Sequence, residues 1–224
     1  MLVGLAERGI RPDAILFADT GGEKPATLKH MMTVQKWLET HGFPSITVVR
    51  ANRQDKTLED ECIRKGVLPS LAYGYKKCSQ AWKIQPQDKW LNHWPQAREA
   101  WAAGKLVVKV IGYDAGEPHR AARGPLEDKK MRKWFPLLEW DWAREECIEA
   151  IDRAGLPRPG KSACFYCPAS TKKEVLALAK EHPDLFERAA AIEQGADLVT
   201  IRGLGRRWRW RELVDADRRQ LSLF

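Results

Sequence analysis

Five cysteines stand at positions 62, 78, 147, 164 and 167 of the 224-residue chain. Two form Cys164-Phe-Tyr-Cys167, a C-x-x-C that follows a Gly- and Pro-containing stretch and is followed at once by Pro168. Thiolates are soft ligands for zinc and iron–sulfur clusters, and C-x-x-C lets two of them converge on one ion. Two further cysteines complete four-coordination, and the set 78, 147, 164 and 167 is the candidate. Its spacing is not that of a zinc ribbon, which needs a second close pair. A metal-free redox C-x-x-C and plain apolar packing of the thiols are the alternatives. Cys62 is expected to be a packed core thiol.

A second candidate is Asp19-Thr20-Gly21, directly after the apolar run Ala14-Ile-Leu-Phe-Ala18. A carboxylate, a hydroxyl and exposed backbone N–H groups at the carboxyl end of a strand suit a ribose or a phosphate. The same tripeptide also makes an ordinary turn. Net charge is +8, and residues 201–224 hold seven Arg against three acids with interleaved Trp. Such a tail suits nucleic acid, through phosphates and stacking, or is simply a solvated basic helix or hairpin.

The elements that must position these residues alternate in period. Helices are expected over residues 2–8, 25–40, 57–65, 143–154, 172–180 and 184–194, and strands over 14–18, 46–49, 106–111 and, briefly, 136–138. Pro25 near the first turn and Gly42 just past the end mark the second helix, and Thr57 is a candidate cap with Asp60 three residues on. Alternating strands and helices imply an α/β sheet with ligands beyond the carboxyl ends of its strands. That directs attention to loops 19–23, 50–52 and 112–123. No apolar run reaches the length of a membrane span, and the N-terminus has no secretory signal, so a cytoplasmic chain with reduced thiols is expected.

Five segments carry a family resemblance. FADTGGEKPAT (17–27) resembles the strand–loop–helix of the phosphoadenosine phosphosulfate (PAPS) reductase family, within the PP-loop, adenine nucleotide α-hydrolase-like superfamily. KKCSQAWKIQP (76–86), VIGYDAGEPHR (110–120), FPLLEWDWAREEC (135–147) and GKSACFYCP (160–168) look like its later blocks, in the same order. The resemblance implies an α/β domain over 1–168 with a parallel Rossmann-like sheet, a helical extension over 169–200 and the basic tail over 201–224. It implies nucleotide binding by Asp19, Thr20, Gly21, Gly112 and Arg120, with Lys83 and Arg120 neutralising phosphate. It also implies a 4Fe-4S cluster, zinc being the alternative, on Cys78, Cys164 and Cys167 with Cys147 as fourth ligand. The expected activity is nucleotide-dependent sulfur transfer or reduction with ATP or PAPS; the alternative is a catalytically inactive, DNA-associated adaptor.

Three departures shape that expectation. The family's first strand and S-G-G-x-D-S loop do not precede residue 1, which suggests a truncated or late-called start and adenine-nucleotide binding that is weak or absent. The E-C-G-[IL]-H nucleophile motif is absent, since Ile148 follows Cys147, and Lys77 stands where adenylyl-sulfate reductases pair two cysteines. Separately, Gln220-Leu221-Ser222-Leu223-Phe224 matches the Q-L-[SD]-L-F peptide that docks on bacterial sliding clamps. There Gln220 would bond at the rim while Leu221, Leu223 and Phe224 enter an apolar cleft, presented by a solvated segment 215–219.

Overall fold

The computed structural model describes residues 1–221. In chain order the elements are α1 (Leu2–Glu7), β1 (Ile15–Asp19), α2 (Pro25–Thr40), β2 (Ile46–Arg50), α3 (Leu58–Lys65), a 3-10 turn (Ser70–Tyr73) and α4 (Lys77–Ser79). A π-helical turn (Gln80–Ile84) leads into α5 (Gln85–His93), then α6 (Pro95–Ala102), β3 (Val107–Val110), α7 (Pro118–Ala121), β4 (Met131–Trp134) and α8 (Pro136–Glu139). The chain continues with α9 (Arg144–Arg153), α10 (Lys172–Glu181), α11 (Pro183–Gln194) and α12 (Trp210–Leu221).

The fold is mixed α/β with two small parallel two-stranded sheets, β1–β2 and β3–β4, and a helix-rich C-terminal region. One larger Rossmann-like sheet was the expectation. One reason for the difference is local. Residues 136–138, read as a strand, start the short helix α8, because Pro136 at a first helical position is pre-set for a turn. The partner of β3 is the more polar Met131–Trp134, in register from Val107↔Met131 to Val110↔Trp134.

Two compact units are assembled from interleaved segments. The first comprises Met1–Ile15, Lys29–Thr47 and Lys89–Gly160. Its core gathers Leu5, Leu38 and Phe43, with Val34, Trp37, Ile46, Val110, Trp134 and Trp140 packed around them. There α1 lies against α9, and a Cβ at Gly4 would fall 2.6 Å from the Trp140 ring, so only glycine admits that approach.

The second unit comprises Leu16–Leu28, Val48–Asp88 and the chain from Lys161 onward. Its core holds Leu58, Cys62, Trp82, Phe165, Tyr166, Val175, Phe186, Ile192, Leu204, Trp210 and Val214. α10, α11 and α12 pack on one another, and α11 packs on α3. α3 opens with a reciprocal cap: Thr57 Oγ1 accepts from Asp60 N, and Asp60 returns a bond to Thr57 N. Residues 215–219, expected to be an extended solvated tail, are part of α12. Trp210 and Val214 sit on one face of that helix and are buried, which ties the basic segment to the core.

Candidate ligand site at the end of β1

β1 ends at Asp19 and β2 at Arg50, and the two side chains pair, with Arg50 Nη2 2.8 Å and Nε 2.9 Å from Asp19 Oδ2. The other carboxylate oxygen of Asp19 accepts the N–H of Gly21 at 2.8 Å. Gly21 takes φ +76°, and a side chain there would run into Thr57, so glycine is required twice over.

Thr20 is buried and its hydroxyl is fully used. Oγ1 donates to Glu23 Oε1 at 3.1 Å, accepts from Gly22 N at 3.3 Å and meets Cys164 Sγ at 3.1 Å. A hydroxyl has one proton, so with that proton on Glu23 the third contact needs the Cys164 thiol as donor. Main-chain bonds hold the loop from both sides: Leu58 N donates to Thr20 O at 3.0 Å, and Phe165 N donates to Gly22 O at 2.8 Å. A bridge joins Glu23 to Cys164, and a Cβ at Gly22 would lie 2.5 Å from Tyr166 Oη.

Lys83, on the π-helical turn, places Nζ 3.4 Å from Glu23 Oε1. The Glu23 side chain is almost wholly enclosed, and among the described residues neither its Oε2 nor the Tyr166 hydroxyl has a hydrogen-bond partner. Four of the six sequence-predicted nucleotide residues, Asp19, Thr20, Gly21 and Lys83, therefore belong to one loop cluster of the second unit. Gly112 and Arg120 belong to the first unit. Gly112 packs on the Met1 side chain, and Arg120 is held by Glu117 through bonds of 2.7 and 2.8 Å while lying over the Tyr113 ring.

The metal expectation is overturned. Among the described residues no group of three or more His, Cys, Asp or Glu is placed to hold a metal ion. Neither the 4Fe-4S cluster nor zinc is supported, and the cluster-dependent sulfur transfer or reduction falls with it. Cys78, Cys164 and Cys167 pack in the core of the second unit beside Cys62, whereas Cys147 lies in the first unit near the Met1 amine. The thiols of the second unit are enclosed among apolar side chains, and the fourth candidate, Cys147, belongs to the other unit. Burial pushes the Cys62 thiol up to about 12 and Cys164 up to about 11, and it raises Cys167 and Cys147 as well. Cys62 and Cys164 therefore keep their protons at neutral pH and are not activated nucleophiles.

The basic segment is built into the second unit. Arg202 pairs with Glu212 and Arg211 with Glu187, while Arg206 donates to Leu71 O and Arg209 to Arg202 O. Gln220 and Leu221 are the last residues of α12; Leu223 and Phe224 lie outside the described residues. Sequence reasoning missed Glu23, Arg50 and Tyr166 as parts of the site. Glu23 lies inside the quoted FADTGGEKPAT, and Arg50 opens a loop already singled out by its place after a strand. No protein-family model matches the chain, and no curated protein does.

Proposed function

We propose that the chain is a relative of the PAPS reductase family whose second unit binds a phosphorylated adenine nucleotide without a metal. The observation that carries the reading is the Asp19–Arg50 pair closing the ends of β1 and β2 beside the loop that Thr20, Glu23 and Lys83 lock in place. Ligands of α/β proteins gather at that end of the strands. Three of the five family-like segments, 17–27, 76–86 and 160–168, meet at this loop, which supports the resemblance independently of their order along the chain.

Charge favours an anion on the solvent side. Lys24, Arg50 and Lys83 stand against Asp19 and Glu23, and Arg50 is mostly exposed, free to swing a guanidinium edge onto phosphate oxygens. Lys83 would offer a second cation. Asp19, released in part from Arg50, would accept from a ribose hydroxyl. Cys164 serves as a buried hydrogen-bond donor to Thr20, holding the loop.

Calorimetric titration with ATP tests this. Saturable binding is expected, weakened about 10-fold or more by Arg50→Gln and by Lys83→Gln, the scale of one charge-assisted hydrogen bond. Arg50→Gln breaks the pair with Asp19 but keeps the Asp19–Gly21, Thr20–Glu23 and main-chain bonds that hold the loop. No saturable binding at millimolar ATP, or wild-type affinity in both variants, would overturn the reading.

A further inference from the structure

The first unit carries its charge unevenly. Residues 89–133 hold ten Lys and Arg against five Asp and Glu, while the remainder of the unit holds seven against nine. The excess is displayed, not buried: residues 122–130 are exposed without a break, and Arg132 on β4 is exposed beside them. The loop is nonetheless ordered by its own bonds. Asp128 Oδ1 accepts the N–H groups of Lys130 and Met131 at 2.8 and 2.9 Å, and Lys133 Nζ donates to Pro125 O at 2.7 Å. Asp128 thus directs an oxygen at the backbone while Arg123, Lys129 and Arg132 extend toward solvent.

Aromatic rings adjoin this basic loop. The Trp101 indole donates to Lys130 O at 2.7 Å, and Lys130 Nζ lies 4.6 Å from the centre of the Trp101 ring and donates to Asn92 on α5 at 2.9 Å. Trp90 and Trp94, at either side of Asn92 in sequence, stack with ring centres 5.2 Å apart. All three indoles are only half-buried. Exposed cations next to partly open indoles match the chemistry of a single-stranded nucleic acid: phosphates pair with the cations and bases stack on the rings.

We propose that this face of the first unit binds single-stranded nucleic acid, with Arg123, Lys129 and Arg132 on phosphates and the Trp90, Trp94 and Trp101 indoles offering stacking surface. The reading is independent of the nucleotide site and moves the nucleic-acid contact away from the Arg-rich residues 201–219.

Fluorescence anisotropy with the full chain tests it, using labelled oligodeoxythymidine, a duplex of equal length and anionic lipid vesicles. The single strand is expected to bind most tightly, with affinity falling linearly in log salt. The Arg123→Ala, Lys129→Ala, Arg132→Ala triple variant is expected to lose about 10-fold or more and to flatten the salt slope by about 2, since each single-strand phosphate contact contributes about 0.7. The comparison variant Arg207→Ala, Arg218→Ala is expected to bind as the wild type does. Unchanged binding in the triple variant, loss in the comparison variant, or equal or tighter binding of duplex or vesicles would overturn the proposal.

Discussion

Thr20 concentrates the chemistry of the second unit in one hydroxyl. It bonds a carboxylate, a backbone N–H and a thiol 144 residues away, and every one of its hydrogen-bonding positions is taken. Thr20→Val keeps the shape and removes all three bonds. It is expected to cost about 1–3 kcal/mol, read from urea unfolding, because buried partners are left unpaired. A change within experimental error would show that the loop does not depend on that hydroxyl. The thiols make a second residue-scale case. Cys62 and Cys164, raised by burial, are expected to resist alkylation at neutral pH until the chain unfolds, and metal analysis is expected to find neither iron nor zinc in stoichiometric amount. Fast labelling of folded protein, or one metal equivalent per chain, would contradict the protonated state. At this scale the sequence was only partly legible. Asp19-Thr20-Gly21 and C-x-x-C were visible as candidates, but their mutual contact depends on tertiary packing that no local pattern encodes. The cysteines also read as ligands by type, whereas their burial, which decides their protonation, is not a local property.

End signals made some elements readable, though α6, which opens on Pro95, was not among the expected helices. α2 runs from Pro25 to Thr40 with Gly42 just beyond, as its punctuation predicts, and α3 has the Thr57 cap that the sequence suggests. Residues 136–138 failed as a strand because a three-residue apolar run has no usable period. α12 was legible only in part: the Arg-rich segment suits a solvated basic helix or hairpin, but the burial of Trp210 and Val214 on one face of that helix was not expected. What fixes α12 is Glu193 on α11. One of its oxygens accepts from Leu204 N at 2.7 Å, and both approach Trp210 N, at 3.2 and 3.0 Å. Glu193→Ala would strand those N–H groups and is expected to cost at least about 1–3 kcal/mol in urea unfolding, with earlier proteolysis beyond residue 200. A smaller loss with unchanged proteolysis would show that side-chain packing alone holds α12. Burial raises the Glu193 carboxyl above its ordinary value, so acid does not undermine it. Its ionisation penalty is relieved as pH falls through the raised value and returns as pH rises.

The pH behaviour of the whole molecule follows from the same buried groups. A thiol raised from its ordinary 9.0 to about 11 or 12 keeps its proton when folded and loses it when unfolded. Below pH 9 both states are protonated and nothing changes. Above it the unfolded chain releases protons first, so stability falls as pH rises through the window from 9.0 toward 11. Cys62→Ala is expected to flatten that fall in thermal melts taken across the window, and an identical slope would assign it to other groups. The central claim is that an adenine nucleotide binds where β1 and β2 end. It is tested most directly by following the backbone amide signals of the folded chain while ATP is added. The account requires saturable shifts at Gly21, Gly22 and the Arg50 amide, with Gly155 and Gly9 unmoved. Shifts confined to the first unit, or none at millimolar ATP, would contradict it.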